Sequence, residues 1–539
     1  MAARTSKFWT PRRKLITRRA LVTGLAVSLA TPAIARPGFF TRMRSSFDDA
    51  LNPGFGTVSG GGGGGGSAGV ADLLQLVVGM PLNSYKKLNA VSEETILANR
   101  QPLTQAEYDG LGVGAGMTWN SDAGVAAGAN GGGGVGSGGT TLEMRAFSGV
   151  AISEIDGTIF AFGGGHTDSG EGGFYVFVPN KAAQKINAAT GAGLWDLEQP
   201  SGRYVDVHRS AKPAGSSQTT VTDPGVNNNS YYVTTNKNGI MMPIVGHSYH
   251  ALVYFPGTSW VLISNNFGFN PTGATSIGAC WLYNTATHVL QGPFTPINGD
   301  AGDGIIAGTF GYGQNSAGGP SGAPGAVVGY AADNAAYAAF SGTFGYGIVK
   351  ITDPLNALSS LKFDLTPTSA DTQVPFEQNS TPWGAQGSMA VLADPANTGK
   401  SIVFSHGQNA ATGAYADNTF ALGRSLQGAP ITAELASHTY ASGTVTTQGN
   451  PTTLSHCMDT SRNKIGLFDG TQMIRVTPAA LNTGWTIAKI DAAATGDIPT
   501  LHPTITNVPT VQYVPAVDAY ICENMGPVWV YKPSDWVHP

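Results

Sequence analysis

The stretch IFAFGGGHTDSGEGGFYVFVP, residues 159–179, decides the fold. Two apolar runs flank a break rich in glycine. Neither run alternates polar with apolar, as a strand with one wet face would, so both are expected to be strands covered on both faces. Gly163, Gly164 and Gly165 let the backbone turn with positive φ and pass close to a neighbouring strand, so they need no ligand to explain them. Three readings stay open for His166, Asp168 and Glu171. Short polar side chains hydrogen-bond turn amides. Asp168 and Glu171 also suit a hard cation such as calcium. The same groups can act as acid and base.

The pattern recurs outward from this stretch. HSYHALVYFPGTSWVLISNN begins at His247, GAVVGYAADNAAYAAFSGTFGYGIVKITDP at Gly325, GSMAVLADPANTGKSIVFSHGQN at Gly387, TLSHCMDTSRNKIGLFDGTQMIRVTP at Thr453 and VQYVPAVDAYICENMGPVWVYKPSDW at Val511. Each offers an apolar strand, a turn with Asp, Asn, Pro or Gly, a second apolar strand, a break and a third strand. Most add a fourth. Strands apolar throughout, repeated at long intervals, fit sheets stacked between like sheets, as the blades of a β-propeller are. The expectation is an all-β chain: a propeller of six four-stranded blades, with a seventh hidden in residues 200–245 as the rival count. The last unit stops after three strands, and NSYKKLNA, residues 83–90, has no partner of its own. Pairing the two closes the ring from the N-terminal side.

AFGGGHTDSGEGGFYVFVPN and GHSYHALVYFPGTSWVLIS resemble segments of exported bacterial kelch-like proteins, and the whole repeat resembles the kelch and galactose-oxidase-like propellers. The likeness runs over roughly residues 80–539. It implies a fold; the same scaffold carries enzymes, adhesins and scaffolding modules. Tyr249-His250 also resembles the Tyr-His ligands of the copper radical oxidases in that superfamily. Those enzymes need a Cys joined to a second Tyr and a further His from a domain after the propeller. The chain runs only to Pro539, so copper is set aside.

The rest of the chain narrows the function. Arg4, Lys7, Arg12, Arg13, Lys14, Arg18 and Arg19 precede an apolar run ending Ala33-Ile34-Ala35, with no acid among them. That is the pattern of a cleavable export signal over residues 1–35, and Thr17–Val22 resembles a twin-arginine signal. Membrane contact is expected only through an uncleaved signal. Residues 36–70, with the run Gly60–Gly66, read as a flexible tether ahead of a body at 71–539. Without those seven of the 29 basic residues, 22 oppose 34 acidic ones, a net charge of −12. Such a body is a poor partner for nucleic acid, whose phosphates need clustered Lys and Arg. Cys280, Cys457 and Cys522 form no C-x-x-C motif and allow at most one bridge.

The candidate site residues are His166, Asp168, Glu171, His247, Tyr249, His250 and His406. Equivalent positions of a repeat fall on equivalent rims, so His247, Tyr249, His250 and the His166 loop are expected on one end of the propeller. Three functions fit: a periplasmic or secreted binding module for a surface glycan or protein, an extracellular carbohydrate-active lyase or hydrolase, and a virion adhesin or tail-associated protein. The chain has no G-x-S-x-G elbow, H-E-x-x-H pair or phosphate loop. Tyr204, Tyr231 and Tyr232, among many amides in residues 201–242, have the chemistry of a sugar or protein contact. N-terminal sequencing of the exported protein should find the signal removed, with residues 40–66 open to protease; a start at Met1 with that segment protected would refute this reading.

Overall fold

Val, Ile, Phe, Tyr and Trp crowd the short runs of this chain, and these residues pack well on a pleated surface. The structure, a computed structural model, describes residues 68–89, 106, 117–120, 125–128, 149–162, 173–179, 185–186, 193–199, 208–211, 230–236, 238–243, 250, 252–263, 280–294, 297–298, 327–331, 335–342, 345–352, 362–364, 388–393, 401–406, 421–423, 434–436, 438–442, 455–478, 485–500, 509–524 and 526–539. The export signal and residues 36–67 of the expected tether lie outside this set, whereas residues 68–70, read as tether, begin the first helix. The first elements are helix α1 (Ala68–Gly79) and strand β1 (Ser84–Asn89).

The strands that follow form sheets in which the strands named below pair antiparallel. The first sheet holds β2 (Val150–Ile152), β3 (Ile159–Ala161), β4 (Phe174–Phe177) and β5 (Asp196–Gln199) in that order. The second holds β6 (Leu252–Tyr254), β7 (Trp260–Ile263), β8 (Cys280–Asn284) and β9 (Val289–Phe294). The third holds β10 (Val327–Tyr330), β11 (Ala335–Gly342), β12 (Gly345–Thr352) and β13 (Lys362–Asp364). A fourth is described as a pair, β14 (Ser388–Ala393) with β15 (Ser401–His406). The fifth holds β16 (Ser455–Asp459), β17 (Lys464–Phe468), β18 (Met473–Thr477) and β19 (Trp485–Lys489). The last holds β20 (Thr510–Val514), β21 (Ala519–Glu523) and β22 (Val528–Lys532), and β1 pairs antiparallel with β22.

The arrangement is all-β and propeller-like. Complete sets of four antiparallel strands, each from one stretch of the chain, stand at four places among the described residues, not at the six or seven expected. The last sheet takes its fourth strand from β1, and residues 208–242 carry a sheet of three strands. The initial strands of the sheets neighbour one another in cyclic order: β2 beside β6, then β10, β14, β16 and β20, and β20 beside β2.

The two-sided burial has a direct cause. In the first sheet Ile159, Ala161, Tyr175 and Phe177 join one core with Val514, Ala519, Ile521, Val528 and Val530 of the last sheet. Their sequence neighbours Phe160, Phe162, Phe174 and Val176 join another with Leu252, Val261, Trp281 and Tyr283 of the second. Alternate side chains point to opposite faces, and both faces are covered. The last sheet repeats this, sending Tyr513, Tyr520, Cys522 and Tyr531 toward Cys457, Phe468 and Met473 of the fifth. Gly466 shows how closely those sheets approach, since a Cβ there would lie 2.8 Å from Tyr520 Cε1. Cys457 and Cys522 are free and buried, so packing rather than a bridge joins the two sheets.

The helix is the one departure from all-β content among the longer described elements. Leu73 and Val77 face the core shared by the last and first sheets. A helix leaves its final carbonyls without intrahelical partners. Here Lys532 Nζ donates to Val77 O at 2.9 Å, Val78 O at 3.3 Å and Met80 O at 2.8 Å, and sits 4.0 Å from the centre of the Trp536 ring.

β1 is held on both edges. Tyr85 lies opposite Tyr531, and Tyr85 Oη donates to Asp491 Oδ2 at 2.7 Å. On the other edge Ser84 and Tyr85 pair in parallel with Thr495 and Gly496. Gly496 has φ +87°, and a Cβ there would come within 2.2 Å of Tyr85 O. Replacing Gly496 by Ala should lower stability by at least about 2 kcal/mol, from positive φ and the clash together. Deleting residues 80–92 should lower the melting temperature of the whole body; an unchanged thermal midpoint in both variants would show that β1 does not close the ring.

Candidate functional site

An inner strand has no ladder partner on its axial side, so its outward amides need other acceptors. Three hydroxyls meet that need at one rim, where the initial strands begin. Ser388 Oγ accepts the His456 amide at 3.0 Å, Ser455 Oγ the Val511 amide at 2.9 Å, and Thr510 Oγ1 the Val150 amide at 3.3 Å. Each hydroxyl belongs to one sheet and the amide to the next, and the third bond joins the last sheet to the first.

Second strands end at the same rim. The terminal pairs there are Val150 with Ala161, Leu252 with Ile263, Ser388 with His406, Ser455 with Phe468, and Thr510 with Glu523. His250 lies two residues before β6, and His406 is the last residue of β15. Both therefore belong to this rim. β3 ends and β4 begins there as well, but His166, Asp168 and Glu171, between them, lie outside the described residues, as do His247 and Tyr249. The calcium reading of Asp168 and Glu171 falls on that segment too. Among the described residues, no group of three or more His, Cys, Asp or Glu side chains could hold a metal.

His250 is 7% exposed, and its Nε2 is buried without a hydrogen-bond partner. Burial disfavours the charged imidazolium and pushes the pKa down to about 4. The ring is neutral at neutral pH and can accept or donate a hydrogen bond.

Glu523, the last residue of β21, is not among the candidates from the sequence. An acid closing an apolar strand is its only sequence signal, and that alone does not separate it from turn trim. The side chain is 1% exposed. Its Oε1 accepts the Gly526 amide at 2.6 Å, and Oε2 is buried without a partner. Burial pushes the carboxyl up to about 8, with the Gly526 amide pulling the other way. Gly526 O in turn accepts Trp195 Nε1 of the first sheet's outer segment at 2.9 Å. Beside it, Asn524 Nδ2 donates to Gly470 O at 3.2 Å and leaves Oδ1 without a partner.

The opposite rim is chemically different. Arg462 pairs with Asp459, Asp518 and Asp535, and Arg475 with Asp459 and Asp535. Tyr520 Oη also donates to Asp459. These charges answer one another and tie the fifth sheet to the last. Elsewhere, His288 Nδ1 lies 3.2 Å from Glu198 Oε2 at the outer edge of the first two sheets, with the imidazole exposed and the carboxylate buried.

No family model and no curated protein matches the chain. Among solved structures, an auxiliary nutrient binding protein from Bacteroides thetaiotaomicron VPI-5482 aligns over 72% of this chain and 69% of its own, at 8% identity and a TM-score of 0.25.

The His250 environment sets a pH dependence. The folded state resists protonation, so the stability His250 contributes is present above 6.5, its ordinary value, and is lost as pH falls toward about 4. The shift corresponds to about 3 kcal/mol. Denaturant unfolding at both ends of that window should show this loss in the native protein and not in His250→Gln; equal losses in both would mean that the ring is not buried as described.

Proposed function

We propose that the chain is an exported β-propeller of six blades that binds a surface glycan or protein through the loops of one rim. The cyclic neighbour order of the six initial strands supports the blade count. The observation that carries the binding reading is the placement on one rim of the buried neutral imidazole of His250, the His406 strand end and the buried carboxyl of Glu523, while the carboxylates and guanidiniums of the opposite rim pair with one another. Polar groups held in fixed positions among apolar walls suit uncharged hydroxyl-bearing ligands. The seven basic residues before Ala33-Ile34-Ala35 support export. A second reading, an extracellular carbohydrate-active enzyme, is favoured by the unpartnered Nε2 of His250, whose ring is neutral at neutral pH as a general base must be.

A glycan array with parallel product analysis separates the two. Binding to one glycan class should weaken at least about tenfold in His250→Ala, the effect of losing one good contact. Thr287→Ala, on the opposite rim, should bind as the native protein does. Release of cleaved sugar would move the assignment to the enzyme. Undiminished binding by His250→Ala would overturn the rim assignment.

A further inference from the structure

The contact between the last and first sheets differs from the others because the chain does not run through it in order. It is sealed separately at its two ends. At one end α1 lies across it: Leu73 approaches Gly157 of the first sheet, and Lys532 of the last holds the helix carbonyls. At the other end Thr510 Oγ1 accepts the Val150 amide, Trp195 donates to Gly526 O, and Glu523 Oε1 receives the Gly526 amide. Asn89 Oδ1 of β1 accepts the Val528 amide at 3.0 Å.

Alternate side chains of β21 face opposite ways. Ala519 and Ile521 enter the core shared with the first sheet, and Glu523 has the same parity. Its carboxyl therefore stands at the seam itself. One oxygen is bonded and the other has nothing. A neutral acid tolerates that position at the cost of one unmet hydrogen bond. A carboxylate does not, because a buried charge without a cation demands water.

Among the described residues, the groups presented at this end supply no cation. The first sheet offers Val150, Tyr175 and Trp195, the last offers Thr510 and Val528, and β1 offers Asn89. Tyr175 is the titratable member of that set. Lys532 sits at the far end of β22 on the helix carbonyls. Lys86 and Lys87 on β1 are exposed, with Asp497 beside them.

We propose that Glu523 is a proton-operated latch: protonated, it lets the last and first sheets close at this rim, and on ionisation it parts them there while α1 holds the far end. Stability from the protonated carboxyl is complete below 4.5, the ordinary value, and is lost as pH rises through about 8. The seam opens first because the Trp195 and Thr510 bonds hold this end, whereas each sheet keeps its own ladder.

Hydrogen exchange, corrected for intrinsic rates, tests this on the full chain. Peptides over residues 149–162 and 510–524 report the seam, and residues 252–263 of the second sheet serve as reference. Between about pH 6 and about pH 9, seam exchange should rise about a hundredfold relative to the reference, the linkage ratio between an opened carboxyl at its ordinary 4.5 and a closed one near 8. Glu523→Gln keeps the shape and the acceptor for Gly526 and should abolish the rise. An unchanged seam in the native protein, an equal rise in Glu523→Gln, or a seam and reference that lose protection together would each overturn the proposal. If Glu523→Gln does not fold, the ratio of seam to reference in the native protein decides alone.

Discussion

The last sheet, and the cores it shares with its two neighbours, depend on the pairing of β1 with β22. Three strands at the C-terminal end of the chain would leave an open edge and an uncovered apolar face, and water would reach Val528, Val530 and Tyr531. β1 covers that edge, and the register that sets Tyr85 against Tyr531 also delivers Tyr85 Oη to Asp491 of the preceding sheet. The same residue thus closes a ladder and joins two sheets. The Thr510–Val150 bond does the equivalent at the axis. One chain terminus completes the other, and the cores on either side of the last sheet exist because of it.

The second organising fact is that strands of one composition serve two cores. A run such as Phe174–Phe177 has no polar side because it has no outer side. Polar chemistry is displaced to the strand ends, and the two rims use it differently. One spends carboxylates and guanidiniums on each other. The other leaves an imidazole nitrogen, a carboxyl oxygen and an amide oxygen without partners. That asymmetry, more than any single residue, separates a structural rim from a candidate binding rim.

Much of the architecture was legible in the residues. Unalternating strands implied stacked sheets, and the orphan segment 83–90 beside a three-stranded final unit implied the closing pair. Other features were out of reach because their causes are distant in sequence. Helix α1 has no basic residue in its last turn, and its cation comes from Lys532, 455 residues beyond Val77. The Ser388, Ser455 and Thr510 hydroxyls look like ordinary strand-start residues until the next sheet supplies an amide. His250 and His406 were recognisable as rim residues by their position in the repeat. Glu523 was not, because a lone acid before Asn-Met-Gly is indistinguishable from turn trim unless its burial is known.

Lys532 has a mechanical consequence. β1 and β22 are antiparallel, so Ser84 and Lys532 sit at the same end of the shared ladder. A load drawn through the two chain ends would peel this pair one hydrogen bond at a time, the weakest direction in which a ladder can be pulled. The ammonium group stands at the point where peeling would start, tied to three carbonyls of the helix that precedes β1. Force on the termini must first tear a cation from a helix end. A ring whose ends meet side by side is thereby reinforced where it would otherwise unzip.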